Sequence, residues 1–484
     1  MRPAAAAGSM RGMERSMSSP QPLPLTWQFD PDLLRRYDRP GPRYTSYPTA
    51  PHFHDGFGAH ELRQAALRSR LGHPGRQLSL YVHVPYCRNP CFYCGCNRVI
   101  TRDARRGLTY LEHLLHEAAL VAPLFGGREV IQLHLGGGTP NFLAPQLLAD
   151  LVEGLGRLFR FSGDAGRDFS IELDPRSVQP EDVARLAQIG FNRASLGIQD
   201  FDPQVQRAIN REQGVAETMA VIEACRRHGM HSVNVDLIYG LPRQTPAGFG
   251  RTLDTVIAAR PDRLAVYGYA HLPNLFKAQR QIHEEDLPDA EGKLALLGLA
   301  VRKLSDAGYQ YIGMDHFALP GEDLAVAQRE GGLHRNFMGY TTHADTDLVG
   351  LGVSAISHVG DSYSQNPRDL PGWEAALAED RIPAWRGVQL SADDLLRAEL
   401  IQQLMCQGRV DLRAVAAAHG VDAERAFAAE LEAVARLQRD GLADYRDGVV
   451  STTAQGRPLL RLLAMCFDAY LRQPDEAARY SKAI

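Results

Sequence analysis

The chain has 484 residues, 44% of them hydrophobic, which is enough for a sizeable core and for two to three domains. Its 53 Lys and Arg stand against 57 Asp and Glu, a formal charge of −4, so it lacks the basic excess of a nucleic-acid or acidic-membrane binder, and any anionic substrate has to be met by local arginines. No run of about eighteen apolar residues is present and the start lacks a secretory apolar core, so neither a membrane span nor export is expected and the cytoplasm is the expected location.

Residues 1–36 are rich in Ala, Arg, Ser and Pro; Glu14 and the several Met residues speak against an organellar transit peptide, and a disordered tail is expected. An arm, 37–75, follows. Six β-branched runs then recur, LSLYVHV from Leu78, VIQLHL from Val130, FSIEL from Phe169, RASLGIQ from Arg193, SVNVDLIYG from Ser232 and RLAVYG from Arg263, and read as buried parallel strands. Between them, apolar residues at helical spacing, such as Leu111, Leu114, Leu115 and Ala118, predict helices. Strand–helix alternation implies repeated βαβ units, and six are too few for a closed eight-fold barrel. An α/β fold built on a partial (β/α)6 barrel over 76–365, with an extension, is therefore expected. Gly137, Gly138, Glu172, Gln199 and Asp236 fall near the C-terminal ends of successive strands, where such barrels collect their chemistry. A doubly wound sheet predicts the same alternation.

The stretch 366–390, with Pro367, Pro371 and Pro383, reads as a linker. From 391 to 484 the sequence is mostly helical, and LADYRDGVVSTT reads as a hairpin turning at Asp447-Gly448, a winged-helix-like outline. Mixed charge without a basic stripe favours a packing or lid domain over DNA binding.

Four of the seven cysteines, Cys87, Cys91, Cys94 and Cys96, crowd into one loop after the first strand, which is no disulfide framework. Cys225 and Cys466 read as small buried hydrophobes. Zinc usually takes paired Cys-x2-Cys knuckles, and no second pair exists. An ordinary ferredoxin-like cluster uses four cysteines, and Cys96 is close enough to supply the fourth.

Cys87-x3-Cys91-x2-Cys94, with Tyr93 before the third cysteine, resembles the radical S-adenosylmethionine signature. Together with Tyr81-Val-His-Val-Pro, Cys94-Gly95-Cys96, Gly136-Gly-Gly-Thr-Pro140, Ile171-Glu-Leu-Asp-Pro175, Gly197-Ile-Gln-Asp200, Asn210-Arg211, Asp236-Leu-Ile-Tyr-Gly-Leu-Pro242, His334-Arg-Asn-Phe and Cys466-Phe-Asp, the resemblance narrows to the oxygen-independent coproporphyrinogen III oxidases, from about Tyr37 to the last helix. It implies a [4Fe–4S] cluster held by Cys87, Cys91 and Cys94, with S-adenosylmethionine chelating the fourth iron and Cys96 present but not a ligand. By the same resemblance Tyr81, Gly137, Glu172 and Ile356 contact that cofactor, while Tyr93, Gly95, Gly138, Thr139, Gln199, Arg211, Asp236 and Ala270 line a second cofactor site.

The implied reaction uses an electron from the reduced cluster to release a 5′-deoxyadenosyl radical, which takes a hydrogen from a substrate propionate. Loss of carbon dioxide and one more electron leaves a vinyl group, and two propionates of coproporphyrinogen III react in this way. The arm would cover the active site, with Gly41–Pro48 a candidate lid. Arg43, Arg98, Arg102, Arg176 and Arg335 are candidates for the substrate carboxylates because a guanidinium matches a carboxylate in a fork. His83 and His334 are candidate supporting groups. An electron donor such as flavodoxin or ferredoxin, an unidentified terminal acceptor and a monomeric chain are expected. Some relatives with this barrel and cluster are haem chaperones, and others act on different tetrapyrroles; the Cys94-Gly95-Cys96 turn and the HRNFMGYTT segment favour the oxidase.

Overall fold

The computed structural model describes residues 30–37, 39–472 and 480. Six strands, β1 (Gln77–Val84), β2 (Glu129–Gly137), β3 (Asp168–Leu173), β4 (Arg193–Gln199), β5 (Ser232–Tyr239) and β6 (Arg263–Gly268), lie side by side in chain order, each parallel to the next. Each is followed by a helix: α1 (Arg105–Val121), α2 (Pro145–Leu158), α3 (Pro180–Ile189), α4 (Val215–Arg227), α5 (Pro246–Ala259) and α6 (Ala290–Asp306). Proline in the first turn starts α2, α3 and α5, where its missing N–H would be unpaired anyway. This is the expected (β/α)6 arrangement.

A seventh strand, β7 (Thr346–Leu351), pairs parallel to β1 on its other side. Beyond it the sheet continues antiparallel through Ile356–Val359, Ser362–Gln365 and Arg386–Gln389, and beyond β6 through His316–Ala318 and Gln310–Gly313. The order is a path with two ends, so the barrel stays open.

The strands are two-faced. Leu80, Val82, Leu133, Leu135, Ile171, Leu173, Leu196, Val235 and Leu237 are buried in the core shared with the helices. The alternate residues, Gln132, His134, Ser170, Glu172, Ser195, Asn234 and Asp236, line internal cavities instead. The two-residue period of a strand sends one set to each face.

Two expectations about the ends are corrected. Pro31–Tyr37, placed in the disordered tail, is a helix with Leu34 buried; residues 1–29 lie outside the described residues. The stretch read as a linker holds the helix Leu370–Ala378 and the sheet strand Arg386–Gln389. Trp373, fully buried against Tyr110 of α1 with ring centroids 4.9 Å apart, anchors it, and Pro371 starts its helix.

Residues 392–467 form a separate core around Leu400, Phe427 and Phe467, which also takes in Leu34, Tyr44 and Tyr47 from the N-terminal side. Its strands Ala443–Arg446 and Val449–Thr452 turn at Asp447-Gly448, both left-handed at φ 54° and 86°, as a type I′ hairpin requires. Ser391 and Asp394 form a reciprocal capping box on the helix Ala392–Gln407. Cys225 is buried as expected; Cys466 is only partly so.

Candidate active site

The loop carrying the cysteines leaves the C-terminal end of β1 and is tied at its base by parallel pairing of Tyr86-Cys87 with Val99-Ile100. Its far side is clamped from two directions. The Phe92 N–H donates to the Ile209 carbonyl at 2.9 Å and Asn210 Nδ2 to the Pro90 carbonyl at 2.7 Å. Gln279 Nε2 donates to the carbonyls of Tyr93, at 2.9 Å, and Ala270, at 3.2 Å. From below, His83 joins the Asn97 carbonyl at 3.0 Å through Nε2 and the Tyr81 hydroxyl at 3.0 Å through Nδ1.

The glycine turn ending β2 lies against this loop. Gly137 has φ +112°, and a Cβ there would stand 2.6 Å from the His83 ring. A Cβ on Gly138 would stand 2.7 Å from the Pro85 carbonyl. No larger residue allows the turn and the loop to come so close.

One cavity of about 360 Å³ opens between them. Of the residues singled out from sequence, Cys87, Cys91, Cys94, Tyr93, Gly137, Gly138, Thr139, Glu172, Gln199, Arg211 and Asp236 line it. Tyr81, Gly95, Ala270 and Ile356 are not on its wall. Tyr81 stacks on His134, centroids 5.9 Å apart, and His134 Nε2 lies 3.4 Å from Glu172. Ile356 abuts Gly350, the register partner of Tyr81. Gly95 packs on Phe276, and Ala270 is tied to Tyr93 through Gln279. Asp174, Ser195, Gly197 and Tyr267 also line the cavity and were given no role. Asp174 stands inside a quoted motif, and Tyr267 is the next-to-last residue of the sixth strand run, so position alone could have flagged both.

The electrostatics centre on the thiols. Arg176 Nη2 lies 3.5 Å and Arg211 Nη1 3.6 Å from Cys91 Sγ. Asp174 holds both cations: Arg176 grips it in a fork at 3.0 and 2.7 Å, and Arg211 Nη2 reaches it at 3.3 Å. Burial alone would raise the Asp174 carboxyl, but Arg211 and Arg176 outweigh it and hold it at about 2. Arg176 is thereby committed to the cysteine loop rather than free for a substrate carboxylate. Arg98 Nη2 likewise donates to the Cys91 carbonyl at 2.9 Å, and Arg102 to Asn89 at 3.0 Å.

Hydrogen bonding with Cys96, whose backbone N–H donates to Cys94 Sγ at 3.4 Å, lowers the Cys94 thiol. Burial pushes Cys87 up to about 11, a penalty that metal coordination removes by deprotonating the thiol. Glu172 is held below the usual glutamate value: burial opposes its charge, but the His134 contact and the Gly137 N–H, donating at 3.1 Å, prevail. Protein surrounds Glu172, yet its side chain is 43% accessible because it opens into the cavity. Burial first, and then the Glu172 charge, lift Asp236 to about 7.

These residues fit the implied cofactors. Among the described residues no three His, Cys, Asp or Glu side chains converge tightly enough to hold a single ion. The three thiols instead share one cavity with cationic walls, which suits the separate corners of an iron–sulfur cluster. Gln199 Oε1 and Arg211 Nε, of two residues that line the cavity, are buried without a partner among the described residues, and Glu172 offers an acceptor, which suits a polar ligand beside the cluster.

Three cysteines on one loop at the C-terminal mouth of an open (β/α)6 barrel define a radical S-adenosylmethionine enzyme. The Radical SAM superfamily model matches residues 81–256, and the HemN C-terminal domain model matches residues 390–459. The oxygen-independent coproporphyrinogen III oxidase of Salmonella typhimurium is 47% identical over 456 residues, covering 94% of this chain and 98% of that protein. That of Pseudomonas aeruginosa is 46% identical over 461 residues, covering 95% and 99%. The structure of coproporphyrinogen III oxidase from Escherichia coli, described as a radical SAM enzyme, superposes with a TM-score of 0.87 at 44% identity, covering 92% of this chain and all of that one. The chain belongs to the oxygen-independent coproporphyrinogen III oxidase family.

Proposed function

We propose that this chain converts coproporphyrinogen III to protoporphyrinogen IX in haem biosynthesis, turning two propionates into vinyl groups with loss of carbon dioxide and without oxygen. The observation that carries this reading is the single cavity in which Cys87, Cys91 and Cys94 meet Glu172 and the glycine turn, on a chain similar over its length to oxidases of that name.

When bound, the [4Fe–4S] cluster and S-adenosylmethionine supply the one-electron chemistry that activates an unreactive C–H bond. Cys87, Cys91 and Cys94 hold the cluster as thiolates. Arg176 and Arg211 offset the thiolate charge at Cys91, and Asp174 fixes both guanidiniums. The Cys96 backbone N–H donates to Cys94 Sγ at 3.4 Å and steadies that ligand. Glu172 would accept hydrogen bonds from the cofactor's ammonium group, its carboxylate being oriented by Gly137 and His134, while His134 stacks on Tyr81 behind it. Tyr93, Gly138, Thr139, Gln199, Arg211 and Asp236 offer a second polar subsite, supported by the unpartnered Gln199 Oε1, with Gly95 and Ala270 behind its wall. Enclosing the reacting carbon among the strand ends excludes water and stray hydrogen donors.

Gly41–Pro48 is bonded rather than loose: the Tyr44 hydroxyl donates to Asp468 at 2.9 Å, and the Ala469 N–H donates to the Tyr47 hydroxyl at 3.0 Å. It acts as a fixed cover hinged on the C-terminal region. A small electron donor such as flavodoxin or ferredoxin would supply the electron that the bound cluster needs, and a separate acceptor would take up the electrons of the decarboxylation. We propose a monomeric, cytoplasmic enzyme without a nucleic-acid partner; among the described residues no helix is long and apolar enough to cross a membrane.

The test is anaerobic. Reconstituted protein with reductant, S-adenosylmethionine, coproporphyrinogen III and an electron-accepting extract should yield protoporphyrinogen IX and 5′-deoxyadenosine by mass. An intact cluster that gives no vinyl product refutes the reading.

A further inference from the structure

Away from the cysteine loop, three guanidiniums, those of Arg43, Arg335 and Arg461, are gathered around the segment Gly41–Tyr47. Arg335, on the strand His334–Asn336, is 5% exposed. Its Nε donates to the Arg43 carbonyl at 3.3 Å, its guanidinium lies 4.7 Å from the centre of the Tyr340 ring, and its Nη1 is buried without a hydrogen-bond partner among the described residues. Arg43 pairs with Asp315 and stands 5.8 Å from the centre of the Tyr267 ring. Arg461 reaches the same segment, its Nη1 donating to the Gly41 carbonyl at 3.2 Å. Burial, together with repulsion among the three, holds Arg43 and Arg461 each down to about 10. Arg43 meets the Asp315 carboxylate, and Arg335 has no salt bridge among the described residues.

Arg335 borders a cavity of about 330 Å³ beneath Tyr44, Thr45, Ser46 and Tyr47. On the same wall Ser46, 8% exposed, has a buried hydroxyl with no partner among the described residues. His334 and His358 there are pushed down to about 4 by burial and are neutral at pH 7, and Glu399 is engaged by His419 at 3.0 Å. Two unsatisfied donors, one of them a guanidinium, are expensive to bury unless an anion meets them. A carboxylate suits both, because a guanidinium fork and a hydroxyl can donate to its oxygens together. The site also adjoins the reaction space: Tyr340 and His316 line a deeper cavity of about 160 Å³ that shares Glu172, Ser195, Asp236 and Tyr267 with the cysteine cavity.

We propose that Arg335 and Ser46, with Arg43 alongside, form a carboxylate anchor for a propionate of the porphyrinogen that does not react. The inference rests on the proposed reaction. Two of the four propionates survive both decarboxylations, so such an anchor holds the ring throughout while the reacting propionates are presented in turn.

The test compares wild type with Arg335→Gln, Arg335→Lys and Ser46→Ala, each checked for intact cluster absorbance. Losing a charge-assisted bond should raise KM for coproporphyrinogen III in Arg335→Gln by about ten- to a hundredfold, with kcat changed far less and a smaller rise in the other two. Coproporphyrin III, the stable oxidised analogue, should bind wild type more tightly than its tetramethyl ester, and Arg335→Gln should lose most of that preference. A KM within about twofold of wild type, with the acid-over-ester preference kept, overturns the anchor. If Arg335→Gln does not fold, the same readouts on Arg335→Lys and Ser46→Ala decide. If wild type makes no vinyl product, the reaction reading fails separately, and acid-over-ester binding still judges the anchor.

Discussion

Replacing Glu172 by Gln keeps the shape of the side chain and removes its charge. The amide oxygen can still accept from the Gly137 N–H, which now reaches the carboxylate at 3.1 Å, so the turn should hold. What is lost is a charged acceptor facing a ligand ammonium in an enclosed cavity, worth about 1.5–3 kcal/mol, or a ten- to hundredfold weaker affinity for S-adenosylmethionine. Equilibrium binding to reconstituted protein, with cluster absorbance as the control, measures this. The same change should report on Asp236, whose carboxyl is lifted to about 7 by burial and by the Glu172 charge. With that charge gone, the Asp236 value should fall in carboxyl-detected NMR of the cluster-free protein. Unchanged affinity would show that Glu172 does not meet the ammonium, and an unmoved Asp236 would show that the two carboxylates do not sense one another.

Changing Cys87, Cys91 or Cys94 to Ala should abolish the cluster's visible absorbance and bound iron, whereas Cys96→Ser should retain both; loss in the Ser variant overturns the ligand assignment. Gly138→Ala drives a methyl group to 2.7 Å from the Pro85 backbone. It should lower stability by roughly 1–3 kcal/mol and reduce iron incorporation, and thermal melting with iron analysis that match wild type would contradict this. Burial pushes Glu117 up from 4.5 to about 7 although Gly352, Asn366 and Trp373 all donate to it. The folded state therefore holds a proton that the unfolded state releases, and stability is greatest below the lower value and falls as pH rises through 7, by roughly 3 kcal/mol for this group. Denaturant unfolding of wild type and Glu117→Gln between about pH 5 and 8 should show the difference between them changing with pH, and a constant difference refutes it.

The six βα units were legible before folding, because β-branched runs and helical spacing are local signals that neighbouring residues supply. So were the cysteine loop, whose ligands lie within a few residues of one another, and the hairpin at Asp447-Gly448, a turn type that two residues specify. Resemblance brought in the residues scattered over distant strand ends, from Glu172 to Asp236, which no local pattern links. Only the tertiary structure decided which of these share a wall: Tyr81 and Ile356 sit behind it, while Asp174 and Tyr267 stand on it. It also turned a proline-bearing stretch into a packed helix and sheet edge, because Trp373 finds its partner more than 250 positions away, at Tyr110 and Glu117. The roles of the arginines were equally out of reach of sequence. A guanidinium looks the same in the sequence wherever it falls, and its three-dimensional neighbours show that Arg176 is spent on Asp174 while Arg335 Nη1 is buried without a partner among the described residues.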